Sequence, residues 1–186
     1  MKTQFPGVAH VIYAEEMEST QTLAKSLAQD NAPNGTLIWA GRQNSGRGRM
    51  ERTWSSPKGG LYFSLILRPT FPPSKLAALS LATADSISRS LSRLAQIKTK
   101  IKPPNDVYAR EEKRWGKIAG ILAEAAGNES ALSWLIVGIG VNVNMIAPLD
   151  TATSLKAITG KNWKLEDVLS AILAEFQKSY FSIGKN

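Results

Sequence analysis

Apolar residues in this chain recur with two different periods, and the changes of period divide it into elements. Val8 to Ala14 and Thr36 to Gly41 are short apolar runs rich in β-formers, as strands are. Between them Ser19 or Thr20 can cap a helix whose Leu23 and Leu27 share a face. Leu61 to Leu67 returns to strand character before Pro69, Pro72 and Pro73 break any ladder. The intervening Arg42 to Pro57, rich in Gly, Ser and Arg, therefore reads as a loop between two strands.

Beyond Ser74, Leu76, Leu79, Ile87, Leu91 and Leu94 lie near helical spacing, with Ser80, Ser86, Ser88, Ser90 and Ser92 predicted on a serine-rich outer face. Ile97 to Lys102 alternates strictly, so Lys98, Lys100 and Lys102 share one sheet surface. Pro103 and Pro104 end that strand. Val107 to Ala109 and Trp115 to Ala125 flank the charged turn Arg110 to Arg114 and predict a hairpin. Leu132 to Val143 is a further strand carrying Gly138 and Gly140, residues that mark a bulge or the close approach of a backbone or ligand. Leu165, Val168, Leu169, Ile172, Leu173, Phe176 and Tyr180 define one apolar face of a closing helix. Central strands with helices at intervals outside them predict an α+β domain, a mixed and mainly antiparallel sheet with helices packed on one face.

At 186 residues and 43% apolar content the chain supports one substantial core, and a single domain over 1–186 is expected. No apolar run approaches a membrane span, and the start through Gln4 and Phe5 has no signal-peptide pattern, so a cytoplasmic protein without a membrane partner is expected. With no cysteine, thiolate catalysis and sulfur-based zinc sites are excluded. The only histidine, His10, lies inside a strand-like run and reads as a strand residue rather than a catalyst. The formal charge of +8 suits an anionic partner: nucleic acid, a phosphate-bearing ligand or an acidic protein.

Candidate chemistry falls in three clusters. Gly46, Arg47, Gly48 and Arg49 bring two guanidinium groups and exposed backbone N–H groups into one loop, with Arg42, Arg52 and Trp54 nearby. Such a loop also suits a solvated basic segment or an RNA-binding tail. Lys117 opens the apolar strand Ile118, Ala119, Gly120, Ile121, Leu122, where an ammonium can meet a carboxylate or phosphate at a pocket mouth or simply reach to water. Asn105 and Asp106 beside Pro104 suit either a site or an ordinary turn. Asn142 and Asn144, predicted on one strand face, need partners if buried.

The joint pattern is more specific than its parts. Ser19 and Thr20 at a helix start, Gln43 followed by Gly46 to Arg49 and Trp54, the Pro104 to Asp106 turn, Lys117 to Leu122, and Gly138 to Asn142 resemble, in order and spacing, the biotin protein ligases. The resemblance implies their class II synthetase-like catalytic fold. It also implies ATP-dependent activation of biotin to biotinyl adenylate, with transfer to a lysine of a biotin carboxyl carrier protein of acetyl-CoA carboxylase.

By position, Ser19, Thr20, Gln21 and Gln43 would meet the ureido ring, with Gly46 and Gly48 in the loop that closes over it. Arg47 and Lys117 would hold the carboxylate and α-phosphate, and Arg49 would order the loop. Gly120 belongs to the same strand, Trp54 and Asn142 would lie on the adenine side, and Asn105 and Asp106 would face the phosphates and the Mg²⁺ carried by ATP. The arginine loop is expected to be mobile until ligand binds.

Relatives usually carry tryptophan where Pro103 stands. Neither a helix-turn-helix domain nor a full C-terminal β-barrel is recognisable, so no specific DNA partner is expected, whereas the family's frequent dimers imply a homodimer. The rival readings are a lipoate or octanoate ligase using the same lysine, and a basic nucleic-acid-binding module built on the lysine face and the arginine loop.

Overall fold

The computed structural model describes residues 4–146 and 151–185. Its centre is a seven-stranded sheet in the order β1 (His10–Met17), β2 (Thr36–Gln43), β3 (Leu61–Leu67), β7 (Leu132–Val141), β6 (Arg114–Gly127), β5 (Asp106–Glu111) and β4 (Thr99–Lys102). β1 and β2 pair in parallel across the helix α1 (Thr20–Gln29), and the other neighbours are antiparallel. The expected mixed, mainly antiparallel sheet is therefore the observed one.

Alternation along the central strands feeds two cores. Leu37, Phe63, Leu65, Val137 and Ile139 point to the side covered by α2 (Leu76–Ala95) and α4 (Leu165–Lys185), where Leu79, Ile87, Leu91, Leu169, Ile172 and Phe176 meet them. Ile38, Ile66, Trp134 and Ile136 point to the opposite side, where α1 packs. The long helices share one face as the pattern predicts, but α1 takes the other. Its contact surface also differs from the expected one. Ala24 and Ala28 are fully buried while Leu23 is 36% exposed, because small side chains let the helix approach the sheet closely. Arg68 fixes its far end, donating to the carbonyls of Ala28 and Ala32 at 2.9 Å each, a cation where a helix leaves carbonyls unmatched.

The serines of α2 do not form an outer face. Ser86 and Ser90 are buried against α4, Ser86 donating to Ser179 Oγ and Ser90 to the carbonyl of Ala171, while Ser88 and Ser92 share Thr99 Oγ1. These short side chains permit a close helix pair, and each hydroxyl has a partner. Asn142 and Asn144 are likewise not on a strand face, since β7 ends at Val141. Asn144 instead exchanges two 2.8 Å hydrogen bonds with the backbone of Trp163, anchoring the segment that carries α3 (Leu155–Thr159). Neither α3 nor the 3-10 turn Pro73–Lys75 stands out from periodicity, being too short to show one.

Candidate active site

The face under α1 is hollowed where β3, β7 and β6 carry Ser64, Gly138, Gly140 and Gly120, and these residues line a cavity of about 340 Å³. The glycines leave room that other residues then use. A Cβ at Gly138 would lie 2.3 Å from Gln21 Oε1, and one at Gly140 would lie 2.4 Å from Trp54 Nε1. Trp54 thus rests on bare backbone, with its buried Nε1–H unpartnered.

The inner wall is polar. Ser19 is the N-cap of α1, accepting from the Thr22 amide at 3.4 Å, and Gln43 Oε1 accepts from the Thr20 amide at 2.8 Å. Gln43 Nε2 donates to Ser56 Oγ. Ser64 Oγ lies 2.9 Å from Thr20 Oγ1 and 3.0 Å from Gln21 Oε1, and its single hydrogen serves one of them at a time. The Ser19 hydroxyl hydrogen remains for a bound acceptor, and the Thr20 hydrogen does so while Ser64 donates to Thr20. Sequence reasoning overlooked Ser64, since one serine in an apolar strand carries no local signal.

At the mouth, β5 and β6 slip register between Val107 and Tyr108, so that Tyr108 pairs Lys117 while Val107 pairs Ala119. The extra residue turns Lys117 onto the face of Gly120, whereas strict alternation would aim it into the α2 core. Its Nζ then lies 2.7 Å from Asp106 Oδ1 and 5.2 Å from the centroid of the Trp54 ring. Asn105 donates to the carbonyl of Ile121 and accepts from Arg49 Nη1 at 3.0 Å, so the Pro104 to Asp106 turn is a strut between β6 and the arginine loop.

That loop is a narrow ribbon rather than a featureless connection. Gln43 faces Ser56, Arg47 faces Thr53, and the amides of Gly48 and Trp54 donate to the carbonyls of Arg52 and Gly46. At its tip Met50 and Glu51 both have φ above +50°, a conformation disfavoured for residues with a side chain. Gly46 does not line the cavity. A Cβ there would lie 2.4 Å from the Trp54 carbonyl, so it closes the ribbon instead.

Ser19, Thr20, Gln21, Gln43, Arg47, Gly48, Arg49, Trp54, Asn105, Asp106, Lys117 and Gly120 are all brought to the cavity. Asn142 is not; its Nδ2 donates to the carbonyls of Lys117 and Thr153, and its buried Oδ1 has no partner. His10 is exposed on β1, away from the lining. The charged lining is Arg47, Arg49, Arg52 and Lys117 against Asp106 alone. Such a surplus of cations suits a site that brings anions together.

Comparison with known proteins gives a consistent picture. A model of the Biotin/lipoate A/B protein ligase family matches residues 13–142. The bifunctional ligase/repressor BirA of Bacillus subtilis is 40% identical over 187 residues, covering 97% of this chain and 56% of that protein. The biotin–[acetyl-CoA-carboxylase] ligase of Paracoccus denitrificans is 35% identical over 130 residues, or 68% of this chain and 51% of that one. The chain spans about half the length of these relatives. The biotin protein ligase of Aquifex aeolicus, solved in complex with biotin and ATP, superposes with a TM-score of 0.78 at 35% identity over 95% of this chain and 72% of that one.

Proposed function

This chain belongs to the biotin/lipoate A/B protein ligase family, and on that premise we propose that it activates biotin with ATP and passes it to a lysine of a biotin carboxyl carrier protein. A biotin carboxylate oxygen attacks the α-phosphorus, pyrophosphate leaves, and the acceptor amine then attacks the acyl carbon and releases AMP. Two anions must meet in the first step, and the four cations of the lining reduce their repulsion. Lys117 and Arg47 hold the carboxylate and α-phosphate. Arg49, already bonded to Asn105, keeps the ribbon over the product, and water is excluded from the anhydride. Asn142 does not line the cavity, and its buried, unpartnered Oδ1 would meet an exocyclic amine of adenine only if the Lys117 segment that it holds shifts, with Trp54 on the same side.

One observation carries the choice of acid: the inner wall is built from Ser19, Thr20, Gln21, Gln43 and Ser64. Hydrogen-bonding groups at the closed end fit a ureido ring, whereas lipoate or octanoate needs an apolar slot. Among the described residues no cluster of three or more metal-ligating side chains exists. Asp106 is the one carboxylate of the lining and is paired with Lys117. Mg²⁺ would be carried by the phosphates of ATP, with Asp106 and Asn105 beside it.

The same proposal takes 1–186 as the family's catalytic domain, acting in the cytoplasm and as a homodimer. The test is acid-dependent exchange of labelled pyrophosphate into ATP. Exchange with biotin and not with lipoate or octanoate is expected; exchange with either of those instead transfers the chain to the lipoate branch. Silence with every acid removes the ligase reading.

A further inference from the structure

Glu124 has no part in the reaction just described, yet it touches two walls of the site. It lies on β6, on the face of Gly120 and Leu122, with its side chain 21% exposed. Its carboxylate oxygens serve different elements: Oε2 accepts from Gln21 Nε2 on α1 at 2.7 Å, and Oε1 lies 3.6 Å from Arg47 Nη1 in the ribbon. The first contact is a short charge-assisted hydrogen bond, the second a charge pair too long for one. Gln21 is spent by this arrangement, one end of its amide on Glu124 and the other beside Ser64, and it reaches across β7 because position 138 is glycine.

We infer that Glu124 is a positioning residue that holds Gln21 against the inner wall and stands in for the ligand's anion at Arg47 while the site is empty. The unequal distances define the order of events. An incoming carboxylate or phosphate at hydrogen-bond distance outcompetes a partner at 3.6 Å and draws Arg47 away. The Gln21 bond stays, so the wall that receives the acid does not move. Arg47 thus has a seat before the substrate arrives, which reduces the ordering cost of binding. The identity of the anion rests on the ligase reading; the clamp between α1, β6 and the ribbon does not.

Two variants separate the two contacts. Glu124→Gln keeps an oxygen for Gln21 and removes the charge facing Arg47, whereas Glu124→Ala removes both. In the ligand-free enzyme at low salt, amide exchange over residues 46–54 should rise by about threefold or more in both variants. Exchange at the start of α1 should rise in Glu124→Ala alone. High salt should reproduce the ribbon effect in the parent and leave α1 unchanged. In steady state, Glu124→Ala should raise KM for the acid about tenfold with kcat within about twofold, and Glu124→Gln should restore most of it.

If ribbon exchange is the same in the parent, Glu124→Gln and Arg47→Ala, the clamp does not exist. If kcat falls with KM unchanged, Glu124 acts in the transition state and positioning is wrong. Loss of folding by Glu124→Ala leaves Glu124→Gln and the salt comparison to decide. Failure of pyrophosphate exchange with every acid would remove the ligase reading while leaving the exchange-protection result intact.

Discussion

Lys117 owes its place to one inserted residue. The register slip that turns it onto the cavity face puts its ammonium within 2.7 Å of Asp106, a carboxylate that on the proposed function would hold it until phosphate arrives. Lys117→Ala should therefore slow adenylation by about a hundredfold or more without unfolding the chain, measured as single-turnover formation of acyl adenylate. Lys117→Arg should also be poor, because a planar fork does not replace a compact ammonium between β5 and β6. Near-parental turnover in either would dissociate Lys117 from the chemistry. Lys117 and Trp54 were legible because each is chemically out of place in its local pattern, and Arg47 because it sits in a glycine-rich loop, whereas Gln43 and Asp106 stood out only through the family resemblance. Ser64 and Glu124 were not legible. A serine or glutamate on a strand has many ordinary uses, and only the fold shows that Gln21 stands opposite both.

The same contrast appears in the elements. Strand alternation and the apolar stripes of α2 and α4 located both and assigned their inward faces correctly. The serines of α2 were read as solvated because hydroxyl side chains favour neither side, and periodicity does not reveal that a second helix lies close enough to accept from them. Ser90 Oγ lies 2.7 Å from the Ser86 carbonyl one turn back on α2 and 3.0 Å from the Ala171 carbonyl on α4, its single hydrogen shared between them. Ser90→Ala should cost about 1 kcal/mol by leaving the Ala171 carbonyl less well satisfied, read as a lower midpoint in denaturant with an unchanged m-value.

The outer rim of the same pair is ionic. Glu175 accepts from Lys178 at 2.9 Å and from Arg93 at 2.7 Å, and Lys178 first, then Arg93, holds its carboxyl below the usual range. A carboxyl depressed on folding contributes stability above its unfolded pKa, and loses it as pH falls through the lower folded value. Glu175→Gln should thus destabilise by less than about 1 kcal/mol at neutral pH, more weakly in salt. The difference from the parent should vanish in strong acid; a gap that persists there would mean the effect is not ionic.

On the scale of the whole molecule, the site is assembled from segments scattered between Ser19 and Gly140, which meet because β7 lies between β3 and β6. Spacing along the chain placed these segments in a family pattern, but not on one side of a sheet, and among the described residues the side they share is the one on which α1 packs. Trp54 is half-buried in that hollow, on Gly120 and Gly140, with its indole N–H unmatched. If the indole must swing aside to admit the adenine beside it, it would behave as a tethered competitor. Its departure has a rate of its own, independent of how much ligand surrounds the protein. Nucleotide association followed by tryptophan fluorescence should therefore rise with concentration and then level off, the ceiling being the frequency with which the indole leaves its seat. Gly140→Ala, whose methyl would press on that ring, should raise the ceiling or abolish it. A strictly linear dependence in the parent would mean that the indole does not stand in the way. With that ceiling observed, the bare backbone under Trp54 would be a clock as well as a floor, setting the fastest pace at which the empty site can be filled.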